Sequence, residues 1–260
     1  MTGWKVKVGT TPDEVYHYLK SDRIWAGYAI CDLENPLWEH SKFYLANTGS
    51  QFAVVLHFET EAFHGITAFG DSEGIDAIWS QVPIPPKLWI SLRSKLEFEP
   101  LFRKYRVDDF HAMWRLHFSV SSASLSLPPH RVVCLGADRQ PELQDFIKDS
   151  LGSAYSPEQL VGGVFYGVEE NGKLWSVVGT HVLSTKYQLA AVGNAYTRPE
   201  YRGKGYFRAC LSAVLHRLRE MGVRDVVANV MQSNTPSMEG ALSMGFVKHC
   251  AFWEGVGTKL

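Results

Sequence analysis

The residues best suited to chemistry lie in one stretch, Asn194-Ala-Tyr-Thr-Arg-Pro-Glu-Tyr-Arg-Gly-Lys-Gly-Tyr-Phe207. Gly203 and Gly205 allow backbone amides to approach a ligand closely. A helix starting just after them would present unpaired N–H groups and a partial positive charge. Arg202, Lys204 and Arg208 add cationic side chains, opposed nearby only by Glu200. Such a nest suits a phosphate or pyrophosphate. It is not a P-loop, because G-x-x-x-x-G-K-[ST] is absent, and Gly203-Lys204-Gly205 has no third glycine for a dinucleotide fingerprint. Gly-Lys-Gly alone reads as a basic surface turn. The strand before it and the long amphipathic helix after it favour the ligand.

Those flanking elements follow from pattern. Gln188–Thr197 reads as a strand. From Gly205 to Met221, the apolar residues Phe207, Cys210, Leu211, Val214, Leu215 and Leu218 share one helical face, and Gly222 stops the helix. Upstream, the pattern predicts a strand at 131–135, a helix near 141–151 and a second helix at Ser156-Pro157. An Asn171-Gly172 hairpin should then join strands 164–168 and 174–183. Downstream come a strand at 223–230, a helix capped by Thr235 and a closing strand, 246–253. The N-terminal half reads in a similar order: a hairpin (52–58, 65–69), a helix (74–79), a strand (87–90), a helical piece (101–105) and a strand (114–118). The expected fold class is α/β with α+β layering: a mixed, mostly antiparallel sheet flanked by helices, built as two halves. The Ser- and Pro-rich segment 119–130 suggests a boundary near Leu127, giving domains 1–127 and 128–260.

Composition narrows the function. Apolar residues make up 45% and charged residues 20% of 260 residues, an ordinary globular balance. The net charge of −1 argues against broad nucleic-acid binding. Residues 1–127 carry 12 Lys+Arg against 15 Asp+Glu, and residues 128–260 carry 14 against 12, so the cationic excess is local and sized for one anionic ligand. No apolar run suits a membrane helix, and the N-terminus lacks a secretory h-region. Four dispersed cysteines without a CxxC predict neither a disulfide framework nor a metal site, and a reduced, cytoplasmic setting.

The stretch Thr197–Phe207 resembles the acetyl-CoA pyrophosphate loop of the GNAT acetyltransferase superfamily, whose pattern is [QR]-x-x-G-x-[GA]. Arg202 and Gly205 match its first two fixed positions, and Phe207 stands where the family has Gly or Ala. Asn234-Thr-Pro-Ser237 with Gly245-Phe246 resembles the family's N-x-x-[AS]…GF segment. The resemblance covers about residues 128–255 and points to a two-domain branch with a divergent N-terminal half. It implies acetyl-CoA as co-substrate and a small-molecule or peptide amine as acceptor. It implies that Ala195, Tyr196 and Thr197 pair with the pantetheine arm and that one of their amides polarises the thioester carbonyl. The pyrophosphate would lie on the amides of Arg202, Gly203, Lys204, Gly205, Tyr206 and Phe207. Asn234 would bond the pantetheine or simply cap its helix. Gly193-Asn194 is the expected site of a bulge that opens the strand pair.

Departures from the family qualify the chemistry. Family members place a tyrosine seven residues after that asparagine as general acid; here the position is Ala241. Tyr196 and Tyr206 are the hydroxyls that could substitute, and Tyr196 is the catalytic candidate. Without a clear acid, a non-catalytic acyl-CoA-binding or regulatory protein is the alternative. No general base stands out among His181, Glu239 and His249. Pairing through the short turn should put His181 opposite Ala190, roughly 13 Å along the strand from Asn194, in a structural role. In the N-terminal half, Asp71 and Glu73 occupy the turn equivalent to the glycine loop and would repel a pyrophosphate. A homodimer is left open.

Overall fold

The computed structural model describes residues 3–61, 63–83, 85–120, 125, 130–148 and 155–260. Most of the segment read as a linker, 121–124 and 126–129, and the end of the helix expected to reach 151 lie outside the described residues.

The chain forms two compact units. The first comprises Met1–Arg115, Met231–Ser233 and Lys248–Leu260; the second comprises Leu116–Val230 and Asn234–Val247. This differs from the expected division at Leu127 in two respects. The boundary falls inside a strand, and the C-terminal strand belongs to the first unit. Periodicity marks a strand but does not say which sheet it joins.

The first unit begins with β1 (Lys5–Val8), α1 (Pro12–Leu19), α2 (Gly27–Cys31) and β2 (Ser41–Asn47). It continues through β3 (Phe52–Glu59), β4 (His64–Gly70), α3 (Ser72–Trp79), β5 (Lys87–Leu92) and α4 (Lys95–Phe102). β6 (Tyr105–Ser119) runs through the boundary. The helical piece expected at 101–105 thus comes earlier, and Tyr105 already starts a strand. The second unit carries β7 (Val133–Cys134), α5 (Gln140–Ile147), α6 (Pro157–Gly162), β8 (Phe165–Glu170), β9 (Lys173–Ser184) and β10 (Leu189–Thr197). It ends with α7 (Tyr206–Glu220), β11 (Asp225–Met231) and α8 (Thr235–Ser243). β12 (Val247–Lys259) pairs antiparallel with β5, from Trp253 opposite Leu92 to Thr258 opposite Lys87.

One plan recurs in both units. In the first, β2, β3 and β4 are antiparallel, α3 crosses over, and β5 returns parallel to β4. In the second, β8, β9 and β10 are antiparallel, α7 crosses over, and β11 returns parallel to β10. Sheet order in the second unit is β11-β10-β9-β8-β7. The mixed, mostly antiparallel sheet flanked by helices is the expected fold class. In each parallel pair the register stops early, at Thr67/Ser91 and at Val192/Ala228, while the strands run on. Each pair therefore opens toward the C-terminal end of its strands, which is where open α/β sheets place ligands.

Local chemistry explains the elements that frame the second opening. Pro157 follows Ser156, and Ser156 and Gln159 form a reciprocal capping box at α6. Asn171 and Gly172 both have positive φ, as the two-residue hairpin turn requires. On α7 the buried Cys210, Leu211, Val214, Leu215 and Leu218 follow the helical period. On the side of α5 and α6, Leu143, Phe146, Leu160, Phe165 and Val177 form a buried cluster. Burial of each such side chain contributes about 1.5–3 kcal/mol.

Candidate active site

The strand that borders the opening is deformed at one point. From Gly193 opposite Gly179 to Tyr196 opposite Val177, β10 holds one residue more than β9. Asn194 takes φ +48°, the left-handed region, where asparagine is tolerated better than most residues. The expected bulge is therefore present at Gly193-Asn194. Asn194 is 5% exposed, and its side-chain NH₂ donates to Gln159 Oε1 on α6 at 2.8 Å. Its backbone N–H donates to His181 Nε2 at 3.1 Å.

That contact corrects the expected position of His181. β9 also shifts register, pairing Ala191 with Val182 but Val192 with Thr180, so His181 is the extra residue and packs against the bulge. A Cβ on Gly193 would come within 2.2 Å of its ring, so only glycine leaves room. Burial lowers the His181 pKa to about 4, which keeps the ring a neutral acceptor. Simple alternation could not reveal this, because it assumes unbroken pairing. Gln159 was missed as well, since nothing in its spacing links it to Asn194.

Beyond the bulge, Ala195, Tyr196 and Thr197 line the β10 edge past its last pairing with β11. Ala195 is exposed. The Tyr196 ring meets Phe146 of α5 edge-on at 5.3 Å, so it packs on the α5–α6 side. Thr197 Oγ1 hydrogen-bonds Ser176 Oγ at 2.8 Å, and the Thr197 carbonyl accepts from Arg202 Nε at 3.1 Å.

The loop then turns through Pro199–Tyr201. Tyr201 stacks on Trp175 with ring centroids 3.9 Å apart, and Lys204 lies over the other end of this pair, 4.6 Å from the Tyr201 ring. Gly203 and Gly205 have φ +74° and +81°, a conformation that favours glycine. Gly205 is the N-cap of α7, and no side chain caps that helix. Its first amides thus follow directly on the nest, with Arg202, Lys204 and Arg208 exposed around it. The equivalent end in the first unit is closed: Asp71 caps α3 and accepts the Glu73 N–H at 3.0 Å.

The remaining site residues have visible packing roles. The Tyr206 hydroxyl donates to Glu170 at 3.3 Å, and its ring meets His130 edge-on. Burial and the neighbouring Glu170 carboxylate raise its pKa, so it stays a phenol. The Phe207 ring packs on α8 at Gly240, where a Cβ would stand 2.9 Å away. Asn234, not Thr235, caps α8, its side chain accepting the Ser237 N–H at 3.3 Å. Ala241 is 5% exposed on that helix. Glu239 is exposed, and His249 lies in the first unit, bonded to Asp22 at 2.8 Å.

Comparison with known proteins agrees with this geometry. Residues 133–246 match the sequence model of the Acetyltransferase (GNAT) family. No curated protein matches the sequence. A Drosophila protein of known X-ray structure is similar in fold, with TM-score 0.72, 12% identity, and coverage of 97% of this chain and 98% of that one. A GCN5-related N-acetyltransferase from Sphaerobacter thermophilus gives 0.60 and 12%, covering 100% and 96%. A tandem GNAT protein from the clavulanic acid biosynthesis pathway gives 0.55 and 11%, covering 98% of both chains. Residues 133–246 thus match the GNAT acetyltransferase family model, and the fold along the chain is similar to that of a tandem GNAT protein.

Proposed function

We propose that the chain transfers an acetyl group from acetyl-CoA to the amine of a small molecule or peptide, in a cytoplasmic setting. One observation carries this reading: the glycine nest at Gly203–Gly205 runs straight into an uncapped helix, beside a strand edge freed by a bulge. The residues fit the donor. The nest amides and the α7 N-terminus would hold the pyrophosphate, with Arg202 and Lys204 as mobile counter-charges. The free β10 edge at Ala195–Thr197 would pair with the pantetheine amides as an added strand. An amide of that segment would face the thioester carbonyl and stabilise developing negative charge. Holding donor and amine in one cleft supplies the proximity that direct attack needs.

The proton for the departing thiolate is not supplied from Ala241, which carries no ionisable group. Tyr196 remains our candidate for that role, although its ring packs on Phe146. Asn234 acts as the α8 cap. The first unit, with Asp71 on its helix start, is proposed to bind no CoA.

Calorimetry with acetyl-CoA, paired with thiol release across a panel of amines, tests the proposal. Saturable binding with amine-dependent release is the expected result. Absence of binding refutes the site, and binding without release from any amine refutes the transferase.

A further inference from the structure

The first unit holds a cluster outside the residues proposed to bind acetyl-CoA. In the β3–β4 hairpin, Glu59 pairs with His64 and His57 pairs with Ile66. Side chains alternate along a strand, so His57 and Glu59 share a face, and His64, opposite Glu59, joins them. Their ligand atoms all lie within 4.8 Å of one another. His57 Nε2 and His64 Nδ1 are 3.3 Å apart, and His64 Nδ1 lies 3.9 Å from Glu59 Oε1.

From this convergence we infer that His57, His64 and Glu59 form a site for one divalent transition-metal ion of the zinc class.

The donor set is two imidazoles and a carboxylate, which is how open zinc sites are built, with water in the fourth position. Tetrahedral ligands at about 2.05 Å from zinc stand about 3.3 Å apart. The two histidine nitrogens already have that spacing, and Glu59 Oε1 lies 0.6 Å beyond it from His64 Nδ1. The environment is graded in a useful way. His57 is 8% exposed at the edge of the core, whereas the His64 and Glu59 side chains are 32% and 45% exposed. An ion could therefore enter from solvent and be held against a rigid strand. Lys42, opposite His57 on β2, reaches Glu59 Oε2 at 3.7 Å. Its 62% exposure makes it a weak competitor. The cluster has no motif spacing, since its members come from two strands and meet only through pairing register.

The test uses the full chain stripped of metal by a chelator. Zinc is titrated by calorimetry, and cobalt(II) is added as a spectroscopic probe. One ion per chain should bind, with a tetrahedral cobalt spectrum lacking thiolate charge transfer. His57→Gln, His64→Gln and Glu59→Gln should each weaken zinc binding at least tenfold and abolish its effect on the melting temperature. If His57→Gln does not fold, the two variants at partly exposed positions decide. Lack of saturable binding to the wild type overturns the inference, as does unchanged affinity in His64→Gln and Glu59→Gln.

Discussion

The Nε2 atom of His181 accepts the backbone N–H of Asn194, and the imidazole fills the space a Gly193 side chain would need. The bulge is thus held by a neutral ring on the adjacent strand as well as by the left-handed conformation of Asn194. A bulge re-aims the residues after it. Here those residues are Ala195–Thr197, the edge proposed to receive the donor.

His181→Ala should therefore act on binding and stability together. Loss of the acceptor leaves a buried N–H unpaired, which costs about 1–3 kcal/mol. Thermal melting should show that loss, and calorimetry should show weaker acetyl-CoA binding. Gly193→Ala, which places a Cβ against the ring, should do the same through overpacking, at about 1–3 kcal/mol. Unchanged acetyl-CoA affinity in both folded variants would separate the bulge from the site.

Gly205→Glu should abolish acetyl-CoA binding and leave a folded protein. The position has φ +81°, so any side chain costs about 1–2 kcal/mol of strain, and the new carboxylate enters the nest. Gly205→Ala carries the strain without the charge and should bind more weakly than wild type but measurably. Full affinity in the folded glutamate variant, read by calorimetry, would place the pyrophosphate elsewhere.

These glycines show what was legible in the sequence. Spacing located the loop, the α7 face and the β8–β9 hairpin, because each rests on residues near one another in the chain, whereas the bulge was expected only from the family resemblance. His181 was misplaced, since its position depends on a second bulge that breaks simple alternation. The metal cluster left no trace in spacing, because strand register joins its members. Asn234 resolved as a cap through a bond to Ser237, three residues away.

Ala241→Tyr should raise turnover if proton delivery limits the reaction. Ala241 lies seven residues after Asn234, two helical turns along α8, so both share a face. A positioned acid contributes about a hundredfold or more. Thiol release at saturating acetyl-CoA, with binding measured separately, reads the effect. Unchanged turnover with normal binding would mean that water or another group protonates the thiolate.

Asp32 should impose a pH dependence on stability. It is 6% exposed, and burial raises its pKa to about 8, far above the ordinary value of about 3.9. The folded state then holds the proton more tightly than the unfolded state. Its contribution is complete below about pH 4 and is lost as pH rises toward 8, on the order of a few kcal/mol. Asp32→Asn should melt above wild type at pH 8, with the difference shrinking toward pH 4. A pH-independent difference would refute the assignment.

The strand β12 has a consequence for how the protein is made. Its residues complete the first unit, yet they are the last of these 260 to leave the ribosome. Chains are synthesised at about 5–20 residues per second, and domains generally fold as they emerge. Residues 1–115 therefore wait, with β5 lacking its β12 neighbour, while the whole second unit is synthesised and can close first. During that interval the exposed β5 edge is open to mispairing. The first unit is thus completed by residues synthesised after those of the second.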